Sequence, residues 1–140
     1  MATDAGPNPF VVDIESATLE NDNYRTTLWT GNNLQMTVMS IGVGGDIGLE
    51  VHEDGDQFLR VEQGKARVQM GPAEDDLSFD EEVGDDWVIL VPAGQWHNVT
   101  NIGDEPLKVY ALYAPPEHEH GTTHPTHEDA VNDPQETDLV

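Results

Sequence analysis

The chain contains no cysteine, which excludes disulfides and thiol chemistry outright. It is nearly as poor in positive charge: 5 lysines and arginines stand against 28 acidic residues, for a formal charge of -23. Such a polyanion lacks the cations that neutralise phosphates, so nucleic acid is excluded as a partner. An anionic membrane surface would repel it as well. Long hydrophobic runs are also missing. No stretch approaches transmembrane length, and residues 1–9 carry neither a basic region nor an apolar leader core, so the cytoplasm is the expected compartment.

Dense like charge destabilises a compact fold in dilute buffer. At about 1 M salt the Debye length falls to roughly 3 Å and most of that repulsion disappears. The composition therefore predicts a protein that works in concentrated salt, from a salt-accumulating halophile, an archaeon by preference. Disorder is the other outcome for an acidic chain. The strand-like runs and Trp29, Trp87 and Trp96 argue instead for a packed centre. At 140 residues the chain is one domain by size.

What is present is a series of short strand-like runs separated by Gly and Asp turns, the pattern of a sandwich or barrel. Phe10-Val11-Val12 and Tyr24 to Thr30 read as strands. Leu34, Met36 and Val38 alternate with polar neighbours, which predicts a half-buried strand with those three facing inward. Phe58 to Val61, Ala66 to Met70, Leu77 to Val83, Trp87 to Val91, His97 to Asn101 and Leu107 to Ala114 bring the expected total to about ten, with no helix of useful length. Residues 1–9 read as a flexible lead-in, 10–116 as the barrel, and 117–140 as a His-rich then acidic extension. His118, His120, His124 and His127 lie there among Pro and Gly that leave the tract without fixed geometry, so an extended segment along the barrel exterior is expected rather than a metal site. Residues 128–140 are expected to be mobile.

Chemistry concentrates in two segments. Glu50, His52 and Gln57 fall within eight residues around Asp54-Gly55, a preferred two-residue hairpin loop. With that loop His52 faces Gln57 and Glu50 faces Leu59, which puts all three potential ligands on one sheet face. Pro92-Ala93-Gly94 then ends an apolar run, and His97 opens the next strand.

The two segments resemble the cupin motifs, Gly-x5-His-x-His-x3-4-Glu-x6-Gly and Pro-x-Gly-x2-His-x3-Asn. Gly44, Glu50, His52, Gln57 and Gly64 match the spacing of the first, and Pro92, Gly94, His97 and Asn101 that of the second. The resemblance covers roughly residues 34 to 116. It implies an all-β double-stranded β-helix, a jelly-roll barrel, in which Glu50, His52, Gln57 and His97 are the metal ligands. Two positions depart from the pattern: Glu50 replaces a His, and Gln57 replaces a Glu. One carboxylate remains, moved to the other position. Two histidines and a carboxylate suit Fe(II), the mixed donor set suits Mn(II), and Zn, Ni or Cu could also occupy such a site.

The resemblance further implies a homodimer and a small-molecule ligand. The cupin fold hosts enzymes and binding modules alike, so it does not decide function. A metal-dependent enzyme acting on a chelating metabolite is the first expectation, with the ion as Lewis acid or O2-binding centre. A non-catalytic ligand-binding barrel is the second. A sugar-phosphate isomerase is the third, because the chain is also similar to the cupin domain of mannose-6-phosphate isomerases. Phosphate recognition asks for cations, and of the five available only Arg25 and Lys108 remain as candidates for the pocket. Trp96, Phe58 and Tyr24 are candidate pocket walls.

Overall fold

A computed structural model describes residues 3–134. Nine strands and two short helices follow one another along the described chain: α1 (Ile14–Glu20), β1 (Arg25–Thr30), β2 (Gln35–Ile41), β3 (Asp56–Gln63), β4 (Ala66–Gly71), β5 (Phe79–Val83), β6 (Val88–Val91), β7 (Trp96–Asn101), β8 (Leu107–Ala114), β9 (Thr123–His124) and α2 (His127–Val131). Two antiparallel sheets, ordered β6-β3-β8-β2-β1-β9 and β5-β4-β7, form the all-β jelly roll. Alternation sets the core. Leu59 and Val61 of β3, Val68 of β4, Val99 of β7 and Val109 of β8 are completely or almost completely buried. β5 and β6 are open sheet edges, and Phe79, Trp87, Val88 and Leu90 stand exposed beside them.

Several sequence expectations change. Phe10-Val11-Val12 forms no strand, and the two turns that follow are helix α1. Asp13 caps it by accepting from the Ser16 N–H at 3.2 Å, and the buried Thr18 hydroxyl donates to Ile14 O at 2.7 Å. Seven residues are too few for a 3.6-residue period to show.

The inward phase of β2 is opposite to the expected one. Leu34 is exposed, whereas Gln35, Thr37, Met39 and Ile41 are buried. Strand β2 carries apolar residues on both faces, Val38 being buried as well, because α1 packs on its outer side. A one-residue change of phase exchanges the two faces. The inward Gln35 is accommodated because its whole amide is satisfied. It donates to Thr30 Oγ1 at 3.0 Å and to His118 O at 2.8 Å, and accepts from the N–H groups of Glu117 at 3.1 Å and His118 at 2.9 Å.

The ends of the described chain are packed too. The Ala5 N–H donates to Leu28 O of β1 at 2.9 Å, and the Asp4 carboxylate accepts from Gly6, Gly121 and Thr30. Of the segment expected to be mobile, residues 128–131 belong to α2, capped by Thr126, while 135–140 lie outside the described residues.

Candidate metal centre

The hairpin through Asp54-Gly55 does not form. A tight turn of the expected type needs positive φ at both loop positions, and neither residue has it. Gly55 instead allows close approach, since a Cβ there would stand 3.0 Å from Ala114 O. Strand β3 pairs with β6 and β8. The segment before the turn crosses to the other sheet, where Glu50 and His97 exchange both main-chain hydrogen bonds at 3.0 and 2.9 Å. Directly opposed residues project to the same face. Glu50 therefore stands beside His97 on the inner side of β7, and His52 follows two residues later. Gln57 arrives from the facing sheet, on the buried phase of β3. The four residues meet as expected, by a different route.

Their geometry is compact. Glu50 Oε1 lies 3.3 Å from His52 Nε2 and 3.4 Å from His97 Nε2, and His97 Nε2 lies 3.1 Å from Gln57 Oε1. One donor atom each from Glu50, His52 and His97 fits within 4.8 Å. Metal–ligand bonds of about 2.1 Å put neighbouring ligand atoms roughly 3.0 Å apart in an octahedron and about 3.4 Å apart in a tetrahedron. The spacings match.

Protonation points the same way. His97 Nδ1 lies 3.1 Å from Gln95 O, so it carries the proton and leaves Nε2 with a lone pair. That lone pair faces the Gln57 carbonyl oxygen. A second ring proton, a cation, or the Gln57 amide turned to present its NH2 would satisfy the pair. His52 is buried, yet neither of its ring nitrogens makes a hydrogen bond of good geometry. The donor set fits a divalent ion.

Electrostatics hold the cluster in its charged form. Burial pulls the His52 imidazole down, but Glu117 and Glu50 outweigh it and raise the pKa to about 9. Burial pushes Glu50 up, but His52 and His97 hold it far below the usual carboxylate range. Glu117 lies outside both motifs. Its Oε2 is 3.4 Å from His52 Nδ1. Neither spacing nor residue type in the sequence marks it.

A cavity of about 160 Å³ adjoins the cluster, lined among others by Tyr24, Arg25, Glu50, His52, His118 and His127. A larger cleft of about 680 Å³ around Gly64, Lys65 and Asp104 contains none of these residues. The His-rich tract builds much of the smaller cavity's wall: His127 stacks on Tyr24 at 4.6 Å, and His118 packs edge-on against Tyr113. His124 Nδ1 lies 3.2 Å from the Arg25 guanidinium, and its Nε2 lies 2.8 Å from Asp133. Of the candidate walls, Tyr24 lines the cavity, Phe58 packs against Tyr110, and Trp96 stays outside the lining. Lys108 is no pocket cation. Its ammonium is taken by Asn21 O and Asp22 just after α1.

Fold and site together define a cupin, and the comparisons agree. The family model described as "Cupin domain" matches residues 37–113, more than half of the chain, which belongs to that family. It is 57% identical over 128 residues to the uncharacterized protein YrkC of Bacillus subtilis, covering 91% of this chain and 69% of YrkC. It is 34% identical over 113 residues to the uncharacterized protein L612 of Acanthamoeba polyphaga mimivirus, covering 80% and 69% of the two chains. The crystal structure of BH2720 from Bacillus halodurans covers 94% of this chain and 100% of its own, with 58% identity and a TM-score of 0.93. These relatives are bacterial and viral, and lend no support to an archaeal source. Among the described residues no helix is long and apolar enough to cross a membrane.

Proposed function

We propose that this cupin binds one divalent transition metal through Glu50, His52, Gln57 and His97 and acts on a small chelating metabolite in the adjoining cavity. The observation that carries the reading is the meeting of the Glu50 carboxylate and two imidazole nitrogens within 4.8 Å. Two histidines with one carboxylate suit Fe(II), and the added amide oxygen suits Mn(II). Bound there, the ion would supply a Lewis acid and a template for a bidentate ligand. The protein's part is to shape the cavity and set the charge around it. Arg25 is buried on the cavity wall, its guanidinium 5.3 Å from the centre of the Tyr24 ring, and favours an anionic ligand. Burial pushes the Tyr24 phenol up, so it stays protonated, and its hydroxyl donates to Ile47 O at 3.2 Å.

Size and charge count against a sugar phosphate. An apolar cavity of about 150 Å³ holds a benzene, and a hexose phosphate is far larger. Arg60 pairs with Asp86 and Arg67 with Asp80, Lys65 lines the larger cleft and Lys108 sits beside α1, which leaves Arg25 as the Lys or Arg on this cavity. A non-catalytic binding module is the second reading. It is favoured by Tyr24, whose proton is committed to a main-chain carbonyl rather than to a ligand.

Metal analysis of protein purified without chelator tests the first part; about one transition-metal ion per chain is expected, and none from His97→Ala. Small carboxylic acids are then screened for binding and turnover, with oxygen uptake followed under Fe(II). Turnover that depends on His97 supports an enzyme, and tight binding without turnover supports the module. A wild type without a stoichiometric metal overturns the proposal.

A further inference from the structure

We propose that Glu117 is a positioning residue for His52, holding the imidazole by Nδ1 so that Nε2 is presented to the ion. This rests on the metal reading above. A ligating histidine usually gives its second ring nitrogen to a carboxylate or a carbonyl, which fixes tautomer and orientation. His97 meets that need locally, through Gln95 O at 3.1 Å. His52 has no such carbonyl. On its Nδ1 side stands the Glu117 carboxylate at 3.4 Å, while Nε2 faces Glu50 Oε1 at 3.3 Å.

Glu117 is placed there by a dedicated arrangement. Its side chain is only 17% exposed, a costly position for a carboxylate unless a positive partner is close. The backbone that carries it is clamped from below by Gln35, whose amide oxygen accepts from the N–H groups of both Glu117 and His118 while its NH2 donates to His118 O. Gly55 packs beside it, where a Cβ would be in ordinary contact with Glu117 Oε1 at 3.4 Å. A carboxylate that merely decorated the surface would not need a fully buried glutamine to hold its backbone. The second negative charge also brings the ion's surroundings to two carboxylates, Glu50 and Glu117, against a charge of two on the metal.

The test uses zinc as probe. Its affinity for wild type, Glu117→Gln and Glu117→Ala is measured by competition with a chelator. Nitrogen NMR of the His52 ring in the zinc-loaded proteins reports which nitrogen is metallated. The expected order is wild type, then Glu117→Gln, then Glu117→Ala, with a ten- to hundredfold loss across the series. Nε2 should be metallated and Nδ1 protonated in the wild type. Glu117→Gln keeps the size and an acceptor oxygen but loses the charge beside His52, so metal-free melting temperatures of all three proteins are measured alongside, to separate loss of positioning from loss of folding. Equal zinc affinity in all three proteins overturns the assignment and leaves the metal reading standing, and so does metallation of the wild type at Nδ1. A wild type that takes up no zinc overturns the metal reading, and the assignment falls with it.

Discussion

His97 lies on a regular strand, paired with β4 on one side and with Glu50 on the other, and its outer ring nitrogen faces a carbonyl two residues away. His52 lies on a segment without strand structure, and its outer nitrogen faces a carboxylate from the far end of the fold. One imidazole thus has its partner on the strand that carries it, and the other has its partner on the tract that follows β8. The first kind of support is as stable as the core. The second depends on whether residues 117–124 stay docked, so the two imidazoles should respond differently to changes made away from them.

The largest effect is expected from His97→Ala. It removes a ligand and leaves the buried Gln57 oxygen without its partner, at about 1–3 kcal/mol. Metal binding should vanish and metal-free stability should fall in a urea melt. His52→Ala should also abolish binding and lower metal-free stability, here through the Glu50 and Glu117 carboxylates left without a positive partner rather than through a lost hydrogen bond. Either variant still binding metal would break the comparison.

Gln35→Ala comes next. It deprives the Glu117 and His118 N–H groups and His118 O of their partner, and a loss of about 2–4 kcal/mol is expected from several buried polar groups left unpaired. Hydrogen exchange should quicken at Glu117 and His118 while β7 stays protected. Uniform quickening across both would show that tract and barrel open together.

Salt sharpens the contrast more gently. Raising potassium chloride from about 0.1 to 1 M shortens the screening length from roughly 10 to 3 Å, and the melting temperature should rise. The acidic tract should gain more protection from exchange than the core. A melting temperature unchanged by salt would overturn the link between charge and working conditions.

The smallest effect concerns Asp4, which ties the lead-in to the tract. Burial pushes its carboxyl up, but the hydrogen bonds from Thr30, Gly121 and Gly6, with His120 nearby, hold it below the ordinary value. A lowered pKa stabilises the fold above the unfolded value of about 3.9, and that contribution is lost as pH falls through the folded one. Asp4→Asn should therefore cost on the order of 1 kcal/mol at neutral pH, and the gap to wild type should close below about pH 4. Metal-free melts across pH check this, and a gap independent of pH would remove Asp4 as a titrating tie.

The barrel and the four converging side chains were legible because motif spacing survives even where residue types change. The route was not. Asp54-Gly55 has the composition of a tight turn, but Gly55 is there for the closeness of Ala114, a contact between residues far apart in the chain. Gln35 misled the phase of β2 because a polar residue can face inward once every hydrogen-bonding group it has is met. Glu117 left no mark because its role depends on where residue 52 lies in space.

The open edges carry a consequence of their own. Strand β5 lines its exposed edge with Asp80, Glu81 and Glu82, close to the uncovered rings of Phe79 and Trp87. Charge on an edge strand discourages pairing with a foreign strand. The acidity that strains the folded chain therefore also acts as its guard against self-association. Concentrated salt, which relaxes the strain, lowers that guard at the same time, so on raising salt solubility and thermal stability should move in opposite directions.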